Sequence, residues 1–244
     1  MKNKYEFTDE VIEYNNSILH RIKALKDFGE APYEVHKGDL GGFIEKEDNL
    51  SQDGDCWVYY NAKVCNDAIV FDDAIIYNDA QVYDNANVFG FAKVYGNAQV
   101  YDNAKVRDNA QIFDDARIGN YAQVYDNAIV SGDAQVYDNA EVYNEAQVFG
   151  HAKVFDNAWI SGNALIFGNA QIFGKAWVYG NANVYGNAWI YEGSFAYDNA
   201  CICGNARVGG EATVCEDGVI SLSCLIKGTT KICGNTLIGE KQKK

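Results

Sequence analysis

From Val58 to Ile238 an aliphatic residue recurs at every sixth position. Of these 31 positions, 30 hold Val or Ile and one holds Ala196. A second series runs two residues ahead of the first. Ala stands at every step from Ala62 to Ala188, Ser194 interrupts, and Ala200, Ala206 and Ala212 resume. No insertion breaks the phase. The unit reads Ala-x-Val-[Tyr/Phe]-[Asp/Gly]-Asn, a four-residue strand followed by a two-residue turn. Side chains alternate along a strand, so Ala and Val share one face while x and the aromatic share the other. Asn and Gly tolerate positive φ, which suits Asp-Asn and Gly-Asn to tight turns. A strand this short cannot bury a face alone, but three can close a triangle around the small Ala and branched Val side chains. About ten coils of roughly 18 residues, stacked about 4.8 Å apart, then give an all-β parallel solenoid roughly 48 Å long. Tyr and Phe do not fit the narrow prism, so they are expected outside, as ladders.

The flanks differ from the repeat. Residues 1–40 lack it and are expected to cap the first coil, because a solenoid end exposes strand edges. Tyr5-Glu-Phe and Val11-Ile-Glu-Tyr read as strands around a turn at Asn15-Asn16, whereas Ser17 to Leu25 fits either a strand or a short helix. Residues 41–240 form the β-helix, and 241–244 a basic, solubilising tail.

Composition narrows the class. A net charge of −14 argues against direct binding of nucleic-acid phosphates. No apolar run is long enough for a membrane span, and the N-terminus has no secretory pattern. Seven Cys without framework spacing read as reduced thiols in a cytoplasmic protein of a bacterial cell.

The Val82 to Ala86 and Val100 to Ala104 spacing resembles the hexapeptide repeat of left-handed parallel β-helix proteins, over about three quarters of the chain. The resemblance, not the period, implies the left-handed coil. Tyr or Phe usually follows the aliphatic residue here, where that family favours Gly, Ala or an acid. In this respect, and in Gly38-Asp-Leu-Gly-Gly-Phe-Ile-Glu, Asp48-Asn-Leu-Ser and Gly54-Asp-Cys-Trp-Val, the chain is similar to bacterial and phage proteins with Tyr-Asp-Asn-Ala and Tyr-Gly-Asn-Ala repeats. Those carry a transferase label on fold alone.

Candidate chemistry is sparse. The acyltransferases of the resembled family use a His beside a loop extruded from the rod. His151 alone lies in this repeat, at a turn position usually held by Asn, so it reads as an ordinary turn residue and only as the runner-up catalytic base. One His cannot supply the three ligands of a metal site, and Cys201 with Cys203 lacks further ligands, so no metal or cofactor is expected. Cys215 and Cys233 should stack on adjacent coils as thiols. Thr is too rare for an ice-binding surface.

Two surface features stand out. Trp159, Trp177 and Phe195 should form one column with Tyr179 and Tyr197 beside it, an aromatic patch of the kind that monomers seldom leave open. Acid is concentrated in residues 67–156, with 15 Asp/Glu and 5 Lys/Arg, whereas residues 157–240 hold 6 and 4. Over five coils this is about one net charge per 2.4 Å, comparable with duplex DNA at about 1.7 Å. Asp84, Asp102, Asp138 and Asp156 are expected along one edge. The resulting expectation is a non-enzymatic protein-interaction scaffold. It would form a homo-oligomer, dimer or trimer, or bind a basic or nucleic-acid-binding host protein. Family style adds a phage or mobile-element inhibitor or decoy of a host defence protein. The alternatives are an acyltransferase using His151 and a polymerising structural rod.

Overall fold

The computed structural model describes residues 3–239. It divides into two compact units, Met1–Asn120 and Tyr121–Lys244, which together hold about 11 turns of parallel β-solenoid. The tail at 241–244 lies outside the described residues.

The first unit opens with an antiparallel hairpin of β1 (Tyr5–Tyr14) and β2 (Ser17–Ala24). Its turn is Asn15-Asn16, both at positive φ (47° and 64°). Ser17–Ala24 is thus a strand: Leu19, Ile22 and Ala24 are buried, and pairing on both edges outweighs its partial helical spacing. β2 pairs antiparallel with β3 (Leu40–Ile44), and β3 runs parallel to Lys63–Val64. The hairpin thereby joins a sheet of the solenoid and covers the edge that would otherwise face solvent. Lys4 anchors it. Its ammonium is buried, 3.0 Å from Cys56 O, 3.2 Å from Gly54 O, 3.4 Å from Asp53 O and 3.2 Å from Cys56 Sγ. Burial lowers the Lys4 pKa.

From β4 (Trp57–Val58) onward every repeat contributes a two-residue strand. Parallel pairing in the first unit joins Trp57↔Ile75, Ile75↔Lys93 and Lys93↔Gln111 on one face. A second face holds Lys63↔Gln81, Gln81↔Gln99 and Gln99↔Arg117, and a third holds Ile69↔Asn87 and Asn87↔Lys105. The second unit repeats the three-face arrangement from Gln123–Val124 to Leu237–Ile238. One of its faces runs Trp159↔Trp177↔Phe195↔Thr213.

The inward series is as the alternation requires. Every Ala of the series from Ala62 to Ala188 and every sixth-position Val or Ile from Val58 to Ile190 is fully buried. Ser194 is buried too, and its hydroxyl is satisfied by the carbonyls of Tyr191 (2.8 Å) and Val208 (3.2 Å). Burial weakens only in the last coil, where Ile226 and Ile238 are half-buried.

The positive φ falls on the first turn residue: on Gly in the Gly-Asn turns, as at Gly90 (68°), in line with its tolerance, but on Asp in the Asp-Asn turns, as at Asp84 (58°), and not on the Asn after it. At Gly90 a Cβ would also come within 2.8 Å of Asp108 N. The Asn side chains serve another purpose: they bond from coil to coil, as in Asn169 Nδ2 to Asn187 Oδ1 (3.2 Å) and Asn187 Nδ2 to Asn205 Oδ1 (2.9 Å).

Cys215 and Cys233 are disulfide-bonded, which corrects the expectation of thiols throughout. They occupy the same outward position eighteen residues apart, on neighbouring coils, so their Cα atoms stand 4.6 Å apart and the sulfurs meet. Cys56 and Cys65 are free and buried, while Cys201, Cys203 and Cys224 are free and half-buried.

Candidate functional site

The outward aromatics are stacked ladders. Tyr77–Tyr95–Phe113 in the first unit and Tyr137–Phe155–Phe173–Tyr191 in the second have centroid separations of 4.6–5.4 Å. In-register coils impose this step. Each pair adds about 0.5–1.5 kcal/mol beyond the burial of its surface. Two ladders end on glycine: a Cβ at Gly119 would lie 2.4 Å from Cζ of Tyr101, and one at Gly209 2.3 Å from Cζ of Tyr191, because each ring lies across the glycine beside it.

The five aromatics expected to form a patch are together in the second unit. Trp159 stacks on Trp177 at 4.6 Å, and Trp177 meets Phe195 at 5.9 Å with the rings tilted by 55°. Tyr179 stacks on Tyr197 at 4.9 Å. Because these rings cover one another, Trp159, Phe195, Tyr179 and Tyr197 are only partly exposed, and Trp177 is the most open at 39%.

The same face holds a feature that the patch argument missed. Its aromatic positions read Tyr125, Tyr143, Ser161, Tyr179, Tyr197. Tyr125 stacks on Tyr143 at 5.0 Å, but the next rung is a serine. A recess of about 170 Å³ opens there, lined by Tyr143, Trp159, Ser161, Trp177 and Tyr179. The signal was present in the sequence as a Ser where the flanking coils have Tyr.

The acidic edge is less free than expected. Asp84 and Asp102 in the first unit, and Asp138 and Asp156 in the second, are all half-buried corner residues. The amide of Asp102 donates to Asp84 Oδ2 (3.3 Å) and that of Asn120 to Asp102 Oδ2 (3.0 Å). Asp156 N likewise donates to Asp138 Oδ2 (3.3 Å), and Gly174 N to Asp156 Oδ2 (3.0 Å). These carboxylates satisfy backbone donors at corners where the sheet ladder lapses. Their charge remains, but their placement has a structural cause.

A second cleft, of about 580 Å³, lies in the first unit beneath the segment between β2 and β3. That segment folds back on itself through a Phe28↔Val35 bridge and a turn in which Tyr33 N donates to Glu30 O (2.8 Å). Tyr59 donates its hydroxyl to Tyr33 O (2.7 Å) and holds the overhang down. Glu30, Asp55 and Asp73 supply carboxylates, and Tyr33, Ile75 and Phe91 supply apolar surface. Lys93 already places its ammonium 4.7 Å from the Tyr33 ring centroid. The cleft depends on a fold-back that no local pattern announces.

His151 lies on an open turn, 68% exposed, with Nδ1 3.1 Å from Asp133 Oδ2. It lines neither of these clefts. Cys201 Sγ lies 3.7 Å from the Tyr185 hydroxyl, and burial pushes the Cys201 thiol pKa up. Among the described residues, no three His, Cys, Asp or Glu side chains converge as a metal site, and no helix is long and apolar enough to cross a membrane.

Comparison with known proteins agrees with the architecture. The profile of the YdcK Beta solenoid repeat matches residues 122–137, within the second unit. No curated protein matches the chain significantly.

Proposed function

We propose that this protein is a non-enzymatic interaction scaffold whose principal contact surface is the aromatic face of the second unit. The observation that carries the reading is the Trp159–Trp177 stack, open at Trp177, bordering an unfilled recess. Large aromatics with open edges beside a pocket are the usual anchors of protein interfaces. The occupant is a protein: a second copy in a closed dimer or trimer, or a host protein, with an inhibitor or decoy of a host defence factor as the sharper form. The acid-rich first unit adds a second contact. Its cleft beneath Tyr33 combines three carboxylates with aromatic surface, and a basic side chain of the partner is the occupant proposed there, a reading supported by the Lys93 ammonium already lying over Tyr33.

The test is the paired change Trp159→Ser with Trp177→Ser, read by sedimentation and by capture from host lysate followed by mass spectrometry. Loss of the higher-mass species or of a reproducible partner, with unchanged β-sheet circular dichroism, is the expected result. An unchanged mass and unchanged capture would sink the interface and leave the rings as a stacking ladder.

A further inference from the structure

We propose that the gap at Ser161 is a slot for a single six-membered aromatic ring, supplied as a Tyr or Phe side chain of the protein partner. This deepens the interface reading above and rests on it. The ladder itself defines the occupant. On one side of the gap Tyr125 and Tyr143 are spaced at 5.0 Å, and on the other Tyr179 and Tyr197 at 4.9 Å. Tyr143 and Tyr179 are therefore two rungs apart, about 10 Å, twice the step of either flanking pair. A ring inserted between them sits about 5 Å from each, inside the 4.5–7 Å range of favourable aromatic pairs.

The gap has not collapsed. At two glycine rungs the neighbouring ring covers the gap, Tyr101 over Gly119 and Tyr191 over Gly209. At Ser161 the recess persists at about 170 Å³. A cavity of about 150 Å³ lined by apolar side chains is enough to hold benzene. Trp159 and Trp177 form one wall, so an entering ring meets aromatic surface on three sides, while the small Ser161 leaves the floor open. An aliphatic side chain would fill the volume but forgo the stacking on both faces. A base from a nucleic acid would fit the same geometry, but the phosphates that come with it oppose a chain of net charge −14.

The experiment uses the intact protein and two capped tripeptides, Gly-Tyr-Gly and Gly-Leu-Gly, with adenosine as a third probe. Binding is read from tryptophan fluorescence, as the part of the response that the Trp159→Ser/Trp177→Ser variant, which keeps Trp57 and Trp189, does not show. Ser161→Tyr supplies the missing rung from within, and Ser161→Ala keeps the gap. The expected result is a saturable response to the Tyr peptide in the wild type and in Ser161→Ala. The response should be at least about tenfold weaker for the Leu peptide and for Ser161→Tyr. Ser161→Tyr should also melt higher than the wild type, which shows that it folds. Equal responses to the two peptides, a Tyr response that survives in Ser161→Tyr, or a stronger response to adenosine would each overturn the proposal. Its failure is separable from that of the interface. If partner capture is lost in the double Trp variant but kept in Ser161→Tyr, the interface stands and the slot does not. If the peptide response behaves as stated while capture ignores the Trp changes, the slot binds aromatic rings without being part of a partner interface.

Discussion

Val106 and Lys105 are neighbours on one two-residue strand with opposite fates: Val106 is fully buried and Lys105 exposed. Val106→Ala removes two methyl groups from the prism, about 1.6 kcal/mol of transfer free energy. The backbone cannot close in, because Phe89 N donates to Val106 O at 3.0 Å and every coil is pinned in this way. A residual cavity on the order of 50 Å³ adds about 1 kcal/mol at about 24 cal/mol per Å³. The total, about 2–3 kcal/mol, corresponds to roughly 5–10 °C of melting temperature in a chain of this size. Lys105→Ala should move the melt by no more than about 1–2 °C, as for surface changes within about 0.5 kcal/mol. Urea titration followed by circular dichroism gives the free energies directly, with equal slopes expected for all three proteins. If the two variants lose stability equally, the assignment of Val to the inside and x to the outside is wrong.

Leu222 holds a turn position at φ 61° that most other coils give to Gly, Asp or Asn, so Leu222→Gly should raise the unfolding free energy from urea titration by about 0.5–1 kcal/mol after the entropic cost of Gly is subtracted. Lys4→Met leaves the carbonyls of Asp53, Gly54 and Cys56 without their buried donor, and hydrogen exchange should show the hairpin amides of β1 and β2 losing protection before those of the coils. Burial pushes the Cys65 thiol up to about 12, so at pH 8 iodoacetamide should label Cys201 and Cys203 while Cys65 stays unmodified until the chain is unfolded. Burial also raises the pKa of Tyr95, Tyr101 and Tyr179 and brings Tyr83 to about 12, whereas an unfolded Tyr ionises near 10. The folded state thus favours the neutral phenols. Their contribution is intact below about pH 10 and declines between about 10 and 12, so melting temperature should fall across that window; a flat profile there would refute it.

The inner half of this protein was legible because its constraint is local and repeated. Ala62 and Val64 define an inward face, and the same pair returns until that face is closed. The outer half was less so. Asp84 and Asp102 look like free charge in the sequence, yet their carboxylates accept bonds from amides eighteen residues away, a partnership visible only once coils are in register. In the Asp-Asn turns it is the Asp that takes the positive φ, while the Asn side chain reaches the next coil, a division of labour that the residue types alone do not assign. Ser161 was readable in principle: the face-by-face list of outward positions shows one rung missing between Tyr143 and Tyr179. The cleft under Tyr33 was not, since it depends on the segment before β3 folding back across distant strands. The Cys215–Cys233 spacing was noticed, but spacing alone does not say whether two sulfurs are bonded.

The corner bonds have a consequence for how such a chain can change length. Many of the outer carboxylates, amides and rings within a unit are matched to the residue eighteen further on, as Asn181 is to Asn199 and Asp126 to Asn144. Loss or gain of one full circuit inside a unit therefore leaves every column continuous, with the Trp159–Trp177 column still on its own face. Loss of a single six-residue repeat would keep Ala and Val pointing inward but rotate everything beyond it by one face. The interior would accept the edit, while each outer ladder would be cut and rejoined to a stranger. The inside of this protein thus counts in sixes and its surface in eighteens, and natural variation in length should respect the larger number.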